Sequence, residues 1–265
     1  MKRGLRPGDV ALITGASSGI GRALALEFAR RGLRVALVAR RQPELSALAR
    51  EIAAAGGSAL VVVGDVTSDD DLADAVTQVL RHWGHVDVLV ANAGAYVQAT
   101  AVDTTLADLQ RALSVNVLGA ARAVLAVLPH MLQRGSGHLV LMASQDAFIP
   151  IPGDGPYNAS KAALSAWGQT LRQELRPRGV GVTVVYPGRI DTPLIAHLRV
   201  PAISPKASPA RLAALVVRAV AQRRARLVYP ATGYLYLVRE VWPALGDWLI
   251  RVLRLQGWEA PQSKV

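Results

Sequence analysis

Tyr157 and Lys161 stand four residues apart in the stretch YNASK, a spacing that brings both side chains onto one face of a helix. A phenol beside an ammonium is a candidate proton donor and acceptor. The free phenol has a pKa of about 10, roughly three units too high for proton exchange at neutral pH, and a neighbouring ammonium favours the phenolate. The lysine is itself informative. The chain has 26 arginines but 4 lysines, and Lys2, Lys206 and Lys264 lie near the termini or in a Pro/Ser-rich loop. A lysine kept at 161 points to a place where a compact ammonium serves and a broad guanidinium of different reach does not.

A second cluster, far from the first in sequence, is suited to an anion. TGASSGIG, Thr14 to Gly21, follows a short apolar run and opens a helical pattern. Gly15, Gly19 and Gly21 let the backbone turn tightly and approach a pyrophosphate, whose charge the helix N-terminus stabilises; Ser17, Ser18 and Ile20 complete the loop. In that context the loop reads as a dinucleotide site. About 20 residues on, an NAD-selective chain places Asp or Glu to accept the ribose hydroxyls. Arg40 and Arg41 stand there instead. A guanidinium fork matches a phosphate, so NADP(H) is the expected cofactor, with Arg22 adding to the same field. Asp65 and Val66, then Asn92, Ala93 and Gly94, follow further apolar runs, at the carboxyl edge where open α/β sheets bind ligands.

Both clusters need a scaffold to bring them together. Valine-rich runs at 10–14, 35–39, 59–63, 86–91, 139–142, 182–186 and 227–229 read as strands, and their continuous apolar character indicates burial on both faces. Helical patterns fall at 20–31, 44–55, 69–83, 105–133, 157–175 and 209–224. Pro43 suits a first helical turn, Ser208 before Pro209 looks like an N-cap, and Pro177 stops the helix carrying Lys161. With right-handed crossovers, this alternation predicts an α/β fold. The expectation is a single doubly wound Rossmann-type domain over 1–230, with a seven-stranded parallel sheet and helices on both faces. A C-terminal amphipathic helical extension over 231–265 follows it.

Composition narrows the function classes. A 51% hydrophobic and 18% charged chain builds a large core. The lack of cysteine removes disulfides, thiolate nucleophiles and Cys-ligated zinc, and suits a reducing compartment. The histidines at 82, 85, 130, 138 and 197 have no metal-ligand spacing, so no metal is expected. The N-terminal apolar run is too short for a secretory leader, and no stretch approaches the roughly 18 to 20 uncharged residues of a membrane span. A soluble or peripheral, cytoplasmic protein is expected. The arginines behind the net charge of +11 are scattered, without a basic run interleaved with aromatics, so no nucleic-acid partner is expected.

Taken in order, Thr14 to Gly21, Asp65, Asn92-Ala93-Gly94, Asn116, Ser144, Tyr157-x-x-x-Lys161, and Pro187-Gly188 with Thr192 resemble the short-chain dehydrogenase/reductase family over residues 9 to about 230. Ala91 departs from the family, which often has an additional Asn there. The resemblance implies hydride transfer between nicotinamide and a ketone, aldehyde or secondary alcohol. It makes Tyr157 the general acid or base, Ser144 the residue that orients the substrate oxygen, and Asn116 the support of a water relay starting at Lys161. Pro187, Gly188 and Thr192 would flank the nicotinamide amide. Moving the phenol toward neutrality takes about 4 kcal/mol, from Lys161, the cofactor's positive ring and local dipoles together. A homodimer or homotetramer formed through the long helices is implied, and the substrate expected is an apolar ketone of oxoacyl, steroid-like or lipid type. Candidate substrate-lining residues are Tyr96, Gln145, Phe148, Ile149, Leu194 and His197. A catalytically silent dinucleotide sensor would need only the cofactor loop, and the complete set Asn116, Ser144, Tyr157 and Lys161 speaks against that alternative.

The tail carries Trp242, Trp248 and Trp258. Within 244–256, Leu245, Trp248, Leu249, Val252 and Leu253 recur at helical spacing, with Asp247, Arg251 and Arg254 toward the other side. Two readings stay open: packing on the domain or a partner subunit, or peripheral contact with an anionic membrane beside the active-site mouth.

Overall fold

The structure is a computed structural model that describes residues 4–198, 200, 205–231 and the positions 242, 244, 245, 248 and 252. Its seven strands are β1 (Val10–Thr14), β2 (Arg34–Ala39), β3 (Ser58–Val63), β4 (Val88–Ala91), β5 (Gly137–Met142), β6 (Val180–Pro187) and β7 (Arg226–Tyr229). All pair in parallel in the order β3-β2-β1-β4-β5-β6-β7. The winding therefore reverses between β1 and β4, and the loops after those two strands open onto one crevice.

Alternate side chains of each strand enter opposite cores. Ala11 and Ile13 meet Leu24, Ala25 and Phe28 of α1 (Gly19–Arg30), Leu45, Leu48 and Ile52 of α2 (Gln42–Ala54), and Leu212 and Val216 of α7 (Pro209–Ala221). Val10 and Leu12 join Leu72 and Val76 of α3 (Asp69–Trp83), Val124 and Val127 of α5 (Gly119–Arg134), and Leu164 and Leu171 of α6 (Gly155–Leu175). Helices on both faces explain why the strands read as continuous apolar runs.

The helix expected over 105–133 is two α segments, α4 (Leu106–Leu113) and α5, joined by a π turn over Ser114–Leu118. As one helix, Leu106–Arg134 is long and apolar enough to cross a membrane, with mean hydropathy 1.7, yet Val124, Val127 and Met131 pack it into the core. Other differences lie at ends. β5 and β6 begin earlier than 139 and 182, because the ladder continues through Gly137↔Val180 and His138↔Gly181, where Gly137, His138 and Gly181 interrupt the apolar run. β4 begins later, at Val88 rather than 86. The last helix stops at Ala221 rather than 224, where Arg223 turns left-handed at φ 50°. Of the expected tail helix, Ala244, Leu245, Trp248 and Val252 are helical and exposed, and the rest of 244–256 lies outside the described residues.

Gly168 lets α6 settle against the sheet. A Cβ there would sit 2.7 Å from Val184 Cγ2 and 2.8 Å from Leu141 Cδ1. Gly168→Leu should lower unfolding free energy by about 1–3 kcal/mol, overpacking outweighing a helix-propensity gain of about 1 kcal/mol. Chemical denaturation reads this, and an unchanged midpoint would show that α6 does not need the close approach.

Candidate active site

One hydroxyl joins the two central strand ends. Thr14 Oγ1 donates to the Val90 carbonyl at 3.4 Å and accepts from the backbone N–H groups of Asn92 and Ala93 at 3.0 and 3.1 Å. Asn92 Nδ2 donates back to the carbonyls of Thr14 and Gly15 at 2.9 and 3.3 Å. The loop after β4 is thus stapled over the glycine loop. It lies so close that a Cβ on Gly15 would meet Ala93 Cα at 2.8 Å, and Gly15 has φ 67°.

The N-terminus of α1 faces the crevice uncapped. Ser18 occupies the N-cap without bonding the first turn, which holds no acidic residue. Instead the hydroxyls of Ser17 and Ser18 accept from Arg41 Nη2 at 2.9 and 2.8 Å. Free N–H groups, a helix dipole and a guanidinium converge, which fits a dinucleotide's phosphates. Arg40 lies 3.6 Å from Asp65. The Thr67 backbone N–H, helped by the Thr67 hydroxyl and Arg40, holds that carboxyl below its ordinary range against partial burial. Arg22 does not add to this field: it pairs with Glu51 of α2.

At the other end, α6 presents Tyr157 and Lys161 on its first turns. Lys161 is 4% exposed, and its Nζ donates to the Met142 carbonyl at the end of β5 at 2.8 Å. Burial lowers the ammonium pKa to about 8, opposed by Asp146. Burial also raises the Tyr157 phenol above its ordinary value, with further upward pushes from Asp146 and Asp154, while a Ser144 hydrogen bond works against them. Lys161 Nζ is 5.6 Å from the ring centroid. In the protein alone, therefore, desolvation outweighs the expected pull of the ammonium, and the phenol is held protonated.

Asn116 is fully buried in the π turn. Its Oδ1 accepts from Ala95 N–H at 2.8 Å, and its Nδ2 donates to the Ala95 carbonyl at 3.0 Å and to Ser160 Oγ at 2.9 Å. Ser160 Oγ then donates to the Tyr157 carbonyl at 2.7 Å. Asn116 ties the loop after β4 to the start of α6.

A cleft of ≈ 710 Å³ spans both ends. Gly15, Ser17, Ser18, Gly19, Ile20, Arg40, Arg41, Asp65, Val66, Asn92, Ala93, Gly94, Ser144, Tyr157, Lys161, Pro187, Gly188 and Thr192 all line it. Two of the expected site residues do not. Asn116 sits behind the wall, and buried Gly21 packs on Gly15 O and Asn92 Nδ2, where a Cβ would clash. Of the residues expected to line a substrate pocket, Tyr96, Gln145, Ile149 and Leu194 line the cleft, whereas Phe148 packs at a tilt on Tyr186 at 4.4 Å and His197 stays outside the lining. Sequence reasoning missed Asp146 and Asp154, the acids that flank Ser144 and Tyr157. Their places beside those two residues were the available signal. Asp154 accepts from Tyr96 at 2.7 Å and Gln98 at 3.1 Å, holding the Tyr96 ring edge-on to Tyr157 at 4.9 Å. Among the described residues, no three His, Cys, Asp or Glu side chains gather as a metal site.

The family described as short chain dehydrogenase matches residues 9–201. The 11-beta-hydroxysteroid dehydrogenase-like 2 protein of Arabidopsis thaliana is 32% identical, covering 92% of this chain and 80% of its own. Among solved structures, a short chain dehydrogenase/reductase from Burkholderia phymatum in complex with NAD superposes with TM-score 0.83 at 27% identity, over 90% of this chain and 95% of that one. An actinorhodin polyketide ketoreductase variant with NADPH gives TM-score 0.78 at 29% identity, over 84% and 95%.

Thr14→Val keeps shape but removes the acceptor for two loop N–H groups. It should cost about 1–3 kcal/mol of stability by thermal or chemical denaturation. A neutral substitution would mean that Thr14 does not organise the crevice.

Proposed function

The chain belongs to the short-chain dehydrogenase/reductase family and is an oxidoreductase acting on CH–OH or C=O groups with a nicotinamide cofactor, and on that premise we propose that it is an NADP(H)-dependent reductase of apolar ketones. The observation that carries the reading is the convergence of Ser144, Tyr157 and Lys161 on one cleft whose far end is an uncapped helix N-terminus crossed by Arg41.

When bound, the cofactor supplies the hydride. Tyr157 gives its phenolic proton to the developing alkoxide, consistent with a phenol kept protonated by burial. Ser144 orients the carbonyl oxygen. Lys161, fixed at Met142 O, contributes positive charge and donors toward the ribose. Asn116 acts from behind as a positioning residue and supports a water relay from Lys161 through the loop it holds. Arg40 and Arg41 meet a 2′-phosphate. Asp65, Val66, Asn92, Ala93 and Gly94 border the adenosine and ribose, and Pro187, Gly188 and Thr192 the nicotinamide. Ile149, Ile151, Leu194 and Ile195 favour an apolar substrate, in keeping with the steroid and polyketide names of similar proteins. A homodimer or homotetramer accords with exposed Leu106, Leu113, Leu118 and Leu125 on the long helix, roughly aligned because the π turn absorbs the five-residue step.

NADPH oxidation with a panel of ketones tests the reading. The kcat/KM ratio should favour NADPH over NADH at least about tenfold, or roughly 1.4 kcal/mol, and Arg41→Asp should shrink or reverse it. Tyr157→Phe should abolish turnover while leaving NADPH binding intact. Equal use of NADH would refute the cofactor choice, and full activity of the Phe variant would refute the proton donor.

A further inference from the structure

The Ser144 hydroxyl has one proton, and the Asp146 carboxylate and the Pro187 carbonyl compete for it with Tyr157 at the reacting centre. Ser144 Oγ donates to Asp146 Oδ2 at 3.0 Å or to the Pro187 carbonyl at 3.4 Å, and it accepts from the Asp146 backbone N–H at 3.2 Å. A hydroxyl that spends its proton on a carboxylate has none for a substrate oxygen. Asp146 lines the same cleft. We propose that Asp146 is a positioning residue that sets the direction of the Ser144 hydrogen bond. As a carboxylate it draws the hydroxyl proton to itself; as a carboxylic acid it donates to Ser144 Oγ and releases the serine proton to the carbonyl oxygen being reduced. The switch is the uptake of one solvent proton on the Asp146 carboxylate, which forms its O–H bond, and the proton delivered to product still comes from Tyr157. The inference rests on the reading of Ser144 above and adds a residue that controls it.

The surroundings suit a carboxyl that changes state in the working range. Tyr157 and Lys161 face it from α6, Asp154 from the N-cap of that helix, Arg189 from the segment after β6, and Tyr96 from the loop after β4. Burial and the Asp154 carboxylate push the Asp146 carboxyl up to about 6, against the Ser144 hydrogen bond, Arg189 and Lys161. The acid form therefore dominates below about pH 6 and the carboxylate above it. The carboxylate also disfavours a Tyr157 phenolate, so ionisation of Asp146 opposes the chemistry through both neighbours.

The test is the pH profile of carbonyl reduction by the full-length enzyme with NADPH, comparing wild type, Asp146→Asn, Asp146→Ala and Ser144→Ala. Wild-type kcat should fall at least about fivefold between pH 5 and pH 8 with a midpoint near 6. Asp146→Asn, whose amide donates to Ser144 Oγ at every pH, should lose that midpoint and exceed wild type at pH 8. Asp146→Ala should also lose the midpoint but stay slow throughout, having no donor. NADPH binding by fluorescence and thermal midpoints should be alike in all four proteins. A midpoint near 6 that persists in Asp146→Asn, or equal rates for the Asn and Ala variants, overturns the proposal alone. Full activity in Ser144→Ala overturns it together with the role of Ser144.

Discussion

A buried ammonium is the constraint around which the site is arranged. Removing a charge from water costs several kcal/mol unless other groups replace the lost solvent. At Lys161 the replacement is the Met142 carbonyl, with the Asp146 carboxylate favouring the charged form. Met142 closes β5 beside Val185 of β6, so its carbonyl stands at the sheet's edge. Reaching it requires α6 to lie hard against β5 and β6, which the missing side chain at Gly168 allows. Tyr157, one turn before the lysine, is thereby fixed over the same cleft that the glycine loop enters from the far side.

A second requirement follows from the first. The start of α6 and the loop after β4 must hold still relative to each other, and a regular helix between α4 and α5 offers no polar group to join them. The π turn supplies one. It widens the helix at Ser114–Leu118 and carries the Asn116 amide into the interior, where both of its ends are satisfied. Breaks of this kind in helices recur at functional sites. Because its amide is used up on Ala95 and Ser160, Asn116 acts through the backbone that it holds.

Much of this was legible in the sequence. The glycine loop, Arg40 and Arg41, Asn92-Ala93-Gly94 and the Tyr157/Lys161 pair are local patterns whose geometry follows from strand–turn–helix order or helical spacing. What stayed hidden depended on distant partners. The π turn has no periodicity of its own and is stabilised by Ala95 and Ser160, which are 21 and 44 residues from Asn116. Phe148 sits beside the expected substrate loop, yet Tyr186 and Arg226 draw its ring away. Arg22 adjoins the glycine loop, yet Glu51 takes its charge. The Tyr157 phenol is the instructive case: spacing correctly paired it with an ammonium, but burial, which spacing does not report, decides its state in the protein alone.

The most direct measurement of the central claim is the single-turnover rate of Lys161→Arg with saturating NADPH at neutral pH, alongside its circular dichroism and cofactor affinity. The guanidinium preserves charge but not the compact fit to Met142 O. The account predicts a folded, cofactor-binding protein whose chemical step is slowed by at least about a hundredfold, within the span that general acid–base catalysis contributes. A chemical step as fast as wild type would contradict it, by showing that positive charge alone, in any shape, is enough.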